Sequence, residues 1–310
     1  MKVAIIGAGA IGCFYGYQLM KANVEVYIQT QFKYKDPLKN GITIHSPWGG
    51  GQFYPNSVKK TASELSELAD FDYVLVTTKV YPSIDFIGLL TPVVTRNTTI
   101  VLIQNGLGIE EKIASHFKNN PIISGLAFIC VTRNKNGTIM HEDYGRLVLG
   151  RYPHGKCKPL TEIVDRFKSV NVPCQITGTI IVARWKKLIW NAAFNPLSVI
   201  SGGLTTQALL SESYWNKKIR AIMTEVCEVA AVVGIKLESS LITKNINDTE
   251  KMTPYKTSML VDHQADRELE TEAILGDFIG IAHQNQVKVP ESEWAYHKLN
   301  ALTSSNPLTD

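Results

Sequence analysis

The sequence lacks any close pair of cysteines. Its five cysteines are scattered over 310 residues, and none of them forms a CxxC pair. An odd, dispersed set is typical of reduced thiols in the cytoplasm, and it argues against both a disulfide framework and a zinc site. We therefore expect a cytoplasmic protein that holds no metal.

Long apolar runs and runs of basic residues are missing as well. The apolar start MKVAIIGAGAIG is too short to span a membrane, and it lacks the basic region and cleavage pattern of a secretory signal. The formal net charge of +4 is spread along the chain, which makes nucleic acid a poor candidate partner. We expect no membrane or nucleic-acid partner, and the length suffices for two ordinary domains.

A strand, a glycine turn and a helix follow one another at the N-terminus. The apolar run Lys2–Ile6 leads into a glycine-rich turn and then into FYGYQLMKA, which has an amphipathic pattern. This order is the context that a dinucleotide-binding fingerprint requires, whereas an isolated glycine turn is the plainer alternative. The candidate cofactor-binding turn consists of Gly7, Ala8, Gly9, Ala10, Ile11 and Gly12.

Each glycine of this turn has a separate expected role. Gly7 permits a tight turn, Gly9 lets the backbone approach a pyrophosphate, and Gly12 lets the helix pack closely on the strand. The N-terminus of the following helix offers free N–H groups and a partial positive charge to the phosphates. The pattern therefore predicts a bound nicotinamide dinucleotide.

The end of the second predicted strand bears on the choice of dinucleotide. NAD-selective proteins carry an acidic residue near this point, which holds the ribose 2′-hydroxyl. Here Val24–Ile28 is followed by Gln29-Thr30-Gln31 and then by Lys33 and Lys35. A missing carboxylate with cations nearby favours a 2′-phosphate and hence NADP(H). The alternative is that these lysines form a solvated surface cluster.

Two further strand ends carry polar residues. Tyr73–Thr77 is a predicted strand that ends before Lys79, and Thr99–Ile103 is another that ends before Asn105. Ligands bind at the carboxyl ends of strands in open α/β sheets. Asn105 is placed to reach the nicotinamide side of a cofactor, although an asparagine here is also a common helix cap.

The alternation of strands and helices changes near residue 178. Before it we predict a Rossmann-type, doubly wound α/β sheet over residues 1–178, and after it an all-helical domain over residues 179–310. The other predicted elements of the first domain are a hairpin in Gly41–Lys60, helices at Glu64–Ala69, Ile109–Phe117 and Leu160–Lys168, and strands at Ile122–Cys130, Thr138–His141, Arg146–Gly150 and Cys174–Ile176. The predicted helices of the second are Ile180–Ile200, Ser213–Val233 and Leu269–Asn285. The last residues, TSSNPLTD, have the composition of a loose tail.

The first helix of the second domain is apolar almost all round but carries a polar seam. The seam recurs at steps of three or four residues and comprises Arg184, Lys187, Asn191, Asn195 and Ser198. We hypothesise that it lines a small-molecule cavity with Lys187 as the proton donor, and that burial beside Arg184 lowers the pKa of Lys187. Alternatively, Lys187 extends to solvent and the asparagines bond to backbone. Pro196 is expected to weaken the helix where the seam ends.

A later segment places acidic residues at four-residue steps. Asp262, Asp266 and Glu270 follow TSML, and their spacing alone indicates a solvated acidic helix face. Glu270 also lies near a predicted helix start, where the helix dipole stabilises a carboxylate that can face a cleft.

Together these segments resemble the ketopantoate reductase (2-dehydropantoate 2-reductase) family over nearly the whole chain. The motifs are GAGAIG, TTK at Lys79, QNGLG at Asn105, WKKLIWNAAFNPLSVI, and TSML followed by RELETE. The resemblance implies that Lys187 donates the proton, that Glu270 is an active-site residue touching substrate or cofactor, and that Lys79 and Asn105 bind the cofactor. It implies substrate contacts from Lys187, Asn191, Asn195 and Ser258.

The implied activity is NADPH-dependent reduction of 2-dehydropantoate to (R)-pantoate in pantothenate and coenzyme A biosynthesis, by a monomer or homodimer. Thr30 stands where the family usually has an arginine, and Leu269 and Glu272 stand where threonine and aspartate are common. One alternative is therefore a D-2-hydroxyacid dehydrogenase that acts on another branched 2-oxo acid with NADH. A non-catalytic, dinucleotide-sensing binding protein is the alternative from another class, and it would need neither Lys187 nor Glu270.

Overall fold

The chain forms two compact units in a computed structural model that describes residues 1–34 and 36–304. The first unit comprises Met1–Lys79, Ile84–Gln104 and Ile109–Ile181, and the second comprises Val80–Ser83, Asn105–Gly108 and Val182–Asp310. Two short segments from the first half of the chain therefore belong to the second unit. The predicted boundary after residue 178 stays a prediction.

Within its described residues, the first unit contains one sheet of ten strands, in the order β4-β3-β9-β8-β7-β6-β1-β2-β5, with β10 paired to β9. The strands are β1 (Lys2–Ile6), β2 (Glu25–Gln29), β3 (Ile42–His45), β4 (Gly51–Phe53), β5 (Ser57–Lys59), β6 (Tyr73–Val76), β7 (Thr99–Ile103), β8 (Ile122–Arg133), β9 (Ile139–Arg151) and β10 (Cys174–Ile176).

Six neighbouring strands, from β5 through β2, β1, β6 and β7 to β8, are all parallel. Strands β6 and β7 are buried at every position, as their continuous apolar sequences predict. The predicted Rossmann-type α/β fold is thereby confirmed. Beyond β8 the sheet becomes mixed, because β9 runs antiparallel to β8. The predicted hairpin forms from β3 and β4, and β3 pairs with β9 in parallel.

The helices before residue 178 are α1 (Ala10–Lys21), α2 (Pro37–Asn40), α3 (Ala62–Ser66), α4 (Phe86–Leu90), α5 (Ile109–His116) and α6 (Lys158–Ser169). The prediction that α1 is amphipathic is wrong, because every residue from Gly12 to Leu19 is buried. Helix α1 packs against β2 and also against β4, β8 and β9, so the sheet covers more than one of its faces. Helix α3 begins earlier than predicted because Thr61 and Glu64 form a capping box.

The second unit is all-helical over its described residues, as predicted. Its helices are α7 (Ile180–Ile200, of which Val182 onward belongs to this unit), α8 (Thr206–Ser211), α9 (Ser213–Val232), α10 (Leu241–Glu250), α11 (Ser258–Gln264), a π-helical segment (Glu272–Gly276), α12 (Asp277–Gln284) and α13 (Pro290–Ser304). Across residues 1–34 and 36–304, no helix is long and apolar enough to cross a membrane.

Helix α7 spans Ile180–Ile200, as predicted, and tertiary burial of this stretch outweighs the loss of one backbone donor at Pro196. Two other details of this unit differ from the sequence predictions. The predicted acidic face does not form, because α11 ends at Gln264. Asp262 is buried, and its Oδ1 accepts a hydrogen bond from the Nε of Arg267 at 2.9 Å. The predicted helix Leu269–Asn285 contains the π-helical segment. Lys35 and the tail from residue 305 lie outside the described residues.

Candidate active site

The three glycines of the N-terminal turn differ in the way a dinucleotide fingerprint requires. Gly7 has a left-handed φ of 82°, and a Cβ atom there would overlap the side chain of Thr78. A Cβ on Gly12 would lie 2.5 Å from the Oγ1 of Thr77. The nearest atom to a Cβ on Gly9 would be the carbonyl oxygen of Gly7, at 3.9 Å, so the backbone of Gly9 borders open space.

The start of α1 fits the diphosphate of a dinucleotide. Gly9 is the N-cap residue and supplies no side-chain hydrogen bond, and the first turn contains no acidic residue. Ala8 is buried, whereas Ala10 and Ile11 are partly exposed. Backbone N–H groups and the positive end of the helix dipole are thus available to an anion, and nothing acidic in that turn opposes it.

Gln29, at the end of β2, was not singled out from the sequence as a site residue. The backbone N–H of Gly7 lies 3.1 Å both from the carbonyl oxygen and from the Oε1 of Gln29. The Nε2 of Gln29 donates to the carbonyl oxygen of Lys60 at 2.7 Å. Gln29 therefore holds the glycine turn on β2. Its residue type carries no local signal for this role.

The end of β2 presents no carboxylate, as the sequence shows. Thr30 is buried, and its Oγ1 accepts a hydrogen bond from the backbone N–H of Phe32 at 3.1 Å. Lys33 is exposed, whereas Lys79, beyond the end of β6, is partly buried.

Two predicted site residues meet in the second unit. The ammonium of Lys187 on α7 donates to the Oδ1 of Asn105 at 3.0 Å. One turn earlier, the Nη1 of Arg184 donates to the carbonyl oxygen of Gly106 at 3.0 Å. Gly106 has a φ of 89°, and a Cβ there would overlap the carbonyl oxygen of Ala273. The turn that carries Asn105 is thus fixed against α7, and the Oδ1 of Asn105 accepts the hydrogen bond from Lys187.

The two asparagines of the seam lie further along α7 and are both buried. Asn195 is 1% exposed, and its Oδ1 has no hydrogen-bond partner among the described residues. Leaving such an acceptor unpaired costs on the order of 1–3 kcal/mol, so buried groups of this kind usually meet a ligand or water. The alternative in which both asparagines bond to backbone does not hold for this oxygen.

Ser258 opens α11 and is held near α7 by its neighbour Thr257. The Oγ1 of Thr257 accepts from the backbone N–H of Leu260 at 3.1 Å, which caps α11. The hydroxyls of Thr257 and Ser198 lie 2.7 Å apart, and Ser198 also donates to the carbonyl oxygen of Asn195 at 2.8 Å. Ser198 therefore bonds to protein groups, and its contact with Thr257 joins the start of α11 to α7. The threonine before an apolar run is an N-cap signal that was available in the sequence.

Glu270 is 5% exposed and holds a segment of the second unit. Its Oε1 accepts from the backbone N–H of Val80 at 3.1 Å, while the hydroxyl of Tyr81 donates to the carbonyl oxygen of Glu268 at 2.9 Å. The carbonyl oxygen of Glu270 accepts from Ile274 at 3.1 Å, so the residue lies at a helix start as expected.

A dinucleotide-type glycine turn and an oriented lysine on an all-helical unit are the features of a nicotinamide-dependent oxidoreductase. The chain matches the family models "Ketopantoate reductase PanE/ApbA" over residues 3–154 and "Ketopantoate reductase PanE/ApbA C terminal" over residues 179–303. The chain belongs to the ketopantoate reductase family. It is thus an oxidoreductase of that type, and the family uses a nicotinamide dinucleotide.

Two relatives and one structural neighbour illustrate the match. The 2-dehydropantoate 2-reductase of Nostoc sp. is 32% identical over 98% of this chain and 96% of its own length. The crystal structure of 2-dehydropantoate 2-reductase from Methylococcus capsulatus is 41% identical, covers 100% of this chain and 99% of its own, and has a TM-score of 0.92. A D-mandelate dehydrogenase solved with NADH and anilino(oxo)acetate shares the fold, with 20% identity, a TM-score of 0.88 and full coverage of both chains.

Proposed function

We propose that this protein reduces 2-dehydropantoate to (R)-pantoate with NADPH, a step of pantothenate and coenzyme A biosynthesis. The observation that carries the proposal is the hydrogen bond of 3.0 Å from Lys187 to Asn105, within a chain of this family. An ammonium oriented by an amide oxygen is suited to proton donation, because its direction is set before the substrate arrives.

Reduction of a ketone needs a hydride at the carbonyl carbon and a proton at its oxygen. The turn of Gly7, Gly9 and Gly12 would hold the dinucleotide, which would supply the hydride when bound. Lys187 donates the proton to the oxygen, and Asn105 holds the ammonium in the donating orientation. Glu270 stabilises the segment that begins at Val80, and we propose that it also contacts the substrate or the cofactor.

The carboxylate of the 2-oxo acid needs neutral hydrogen-bond donors. We propose that the hydroxyl of Ser258 and the amides of Asn191 and Asn195 provide them. The unpaired Oδ1 of Asn195 then accepts from a substrate hydroxyl, which 2-dehydropantoate carries and simpler branched 2-oxo acids lack. Loss of such a bond from a buried site typically costs about 1–3 kcal/mol, which supports discrimination between these substrates.

NADPH is the proposed donor because the end of β2 has no carboxylate to bind a ribose 2′-hydroxyl. Lys79 is the proposed cation from the end of β6. Thr30 in place of the usual arginine favours the second candidate, a D-2-hydroxyacid dehydrogenase that uses NADH. The fold shared with D-mandelate dehydrogenase makes that candidate worth testing beside the first.

The test is the loss of absorbance at the nicotinamide band with a panel of 2-oxo acids, run with NADPH and then with NADH. The proposal expects the highest kcat/KM for 2-dehydropantoate with NADPH. Preference for a 2-oxo acid without the hydroxyl, with NADH as donor, would support the dehydrogenase. Dinucleotide binding without oxidation by any 2-oxo acid would instead support a non-catalytic sensor. The oligomeric state, monomer or homodimer, stays a prediction.

A further inference from the structure

The β8–β9 turn packs against the segment that follows β2. The turn is closed by hydrogen bonds of 2.9 Å from Gly137 to Asn134 and from Asn134 to Thr138. A Cβ on Gly137 would lie 2.9 Å from the ring of Phe32 and 3.1 Å from that of Tyr34. This contact places the end of β8 beside the segment where a dinucleotide of this fold carries its adenosine ribose.

Arg133, the last residue of β8, lies on that segment. Its guanidinium carbon is 4.1 Å from the centroid of the Phe32 ring. Over residues 1–34 and 36–304, no carboxylate lies within ion-pair distance of Arg133. A guanidinium has five N–H donors, so one that stacks on a ring and bonds to one neighbour still presents a fork that matches the oxygens of a phosphate.

Tyr34 connects Arg133 to the glycine turn. Its hydroxyl lies 3.3 Å from the carbonyl oxygen of Ala8 and 3.2 Å from the Sγ of Cys13. Burial, and then the neighbouring Cys13, raise the pKa of Tyr34, while the charge and hydrogen bond of Arg133 act in the lowering direction. The guanidinium is therefore one side chain away from the turn that we propose to bind the dinucleotide.

We infer that Arg133 binds the 2′-phosphate of NADPH and supplies the cation that Thr30, after the end of β2, does not. The inference rests on the proposed function only in requiring that the chain binds a dinucleotide. Phe32 follows Thr30 and Gln31 directly, so the stacked guanidinium reaches the end of β2 from another strand. Lys33 is exposed and does not share this stacking contact.

Calorimetric titration with 2′,5′-ADP and with 5′-AMP tests this inference without any turnover. We expect the parent protein to bind 2′,5′-ADP more tightly than 5′-AMP. Arg133→Gln should reduce affinity for 2′,5′-ADP by roughly 10- to 100-fold, the usual worth of a charged hydrogen bond, and leave 5′-AMP unchanged. Lys135→Gln, at an exposed position of the same turn, is the matched control and should keep the preference.

The inference would be overturned if the parent protein did not prefer 2′,5′-ADP to 5′-AMP. It would also be overturned if a folded Arg133→Gln variant kept that preference, or lost affinity for both ligands equally. If Arg133→Gln fails to fold, Arg133→Lys decides, because it keeps the charge without the planar fork and should retain only part of the preference. Failure to reduce any 2-oxo acid would end the proposed function and leave these titrations valid.

Discussion

The ammonium of Lys187 lies 3.0 Å from the Oδ1 of Asn105, although the two residues are 82 positions apart in the chain. The contact belongs wholly to the second unit, since the turn of Asn105 and Gly106 clusters with the helices that follow Ile181. The proposed proton donor and the amide oxygen that accepts its hydrogen bond are therefore positioned by the same helical packing.

Lys187→Ala should reduce turnover by roughly 10²- to 10⁴-fold, the usual worth of a general acid. The matched control is Lys186→Ala, because Lys186 is the adjacent lysine and pairs with Glu238 at 3.6 Å. Steady-state rates with 2-dehydropantoate and NADPH measure both. Turnover of the Lys187→Ala variant within a few-fold of the parent would show that another group donates the proton.

Asn105→Asp should move the basic limb of the pH–rate profile to higher pH. The change places a carboxylate beside the ammonium, and an opposite charge at this distance favours the protonated form. A general acid works only while protonated, so activity then persists to higher pH. The profile of kcat between neutral and alkaline pH is the measurement, and a limb that does not move would remove Lys187 as the titrating acid.

Glu270→Ala should mainly raise KM for the 2-oxo acid, by roughly 10- to 100-fold, because a buried charged acceptor is lost. Glu270→Gln keeps an oxygen for the N–H of Val80 and should restore part of the affinity if that contact matters. Glu268→Ala is the control, since only the backbone carbonyl of Glu268 bonds to Tyr81. An unchanged KM and kcat in Glu270→Ala would exclude this residue from the site.

Gly9→Ala should separate binding from stability. The backbone φ of Gly9 is −81° and its Cβ position is open, so we expect an unfolding free energy within about 0.5 kcal/mol of the parent. The added methyl group occupies the space proposed for the diphosphate and should weaken dinucleotide binding at least 10-fold.

Gly12→Ala is the contrasting variant. Its methyl group would meet Thr77 and, at 2.9 Å, the side chain of Ile5, so it should cost roughly 1–3 kcal/mol of stability. Thermal melts and dinucleotide titrations of both variants provide the comparison. Unimpaired binding by Gly9→Ala would place the diphosphate elsewhere.

The buried His141 should make the first unit less stable in mild acid. Its Nε2 faces the carbonyl oxygens of Asp143 and Tyr144 at 3.1 Å, and its Nδ1 lies 2.8 Å from the hydroxyl of Ser46. Burial lowers the pKa of His141 below 6.5. When the pKa is lower in the folded state, the unfolded state binds the proton more readily. The contribution of His141 to stability is therefore complete above the unfolded-state pKa and is lost as the pH falls through the folded-state pKa.

Melting temperatures between pH 8 and pH 5 test whether the stability falls as the pH falls. Relative to His141→Gln, which does not titrate, the parent should lose stability as the pH falls below about 6.5. His154→Gln, at an exposed position, should follow the parent. A constant difference between the parent and His141→Gln would show that His141 has the same pKa in both states.

Local patterns predicted the elements whose burial follows from their own sequence. The run Tyr73–Val76 is apolar throughout and lies inside the parallel sheet. The spacing of Lys187 and Asn191 predicted one polar side of α7. The burial of α1 was missed because it depends on β4 and β9, whose sequences lie far from it in the chain.

The same limit applies to the site. Ser198 was assigned to the polar seam, but its hydroxyl bonds to Thr257, and no spacing rule links the two positions. The stacking of Arg133 on Phe32 is also a contact between distant segments. Pairs of this kind follow from the packing of whole elements, so a single sequence carries no periodic signal for them.

The membership of residues 105–108 in the helical unit constrains how this protein can be recombined. A chimera that joined residues 179–310 to the N-terminal half of another oxidoreductase would inherit Lys187 but not Asn105. The donor half would have to bring an amide oxygen at that turn, and a glycine after it that tolerates the close approach of Ala273. Transplanting residues 179–310 alone would therefore carry the proposed acid, Lys187, without the amide oxygen of Asn105 to which it bonds.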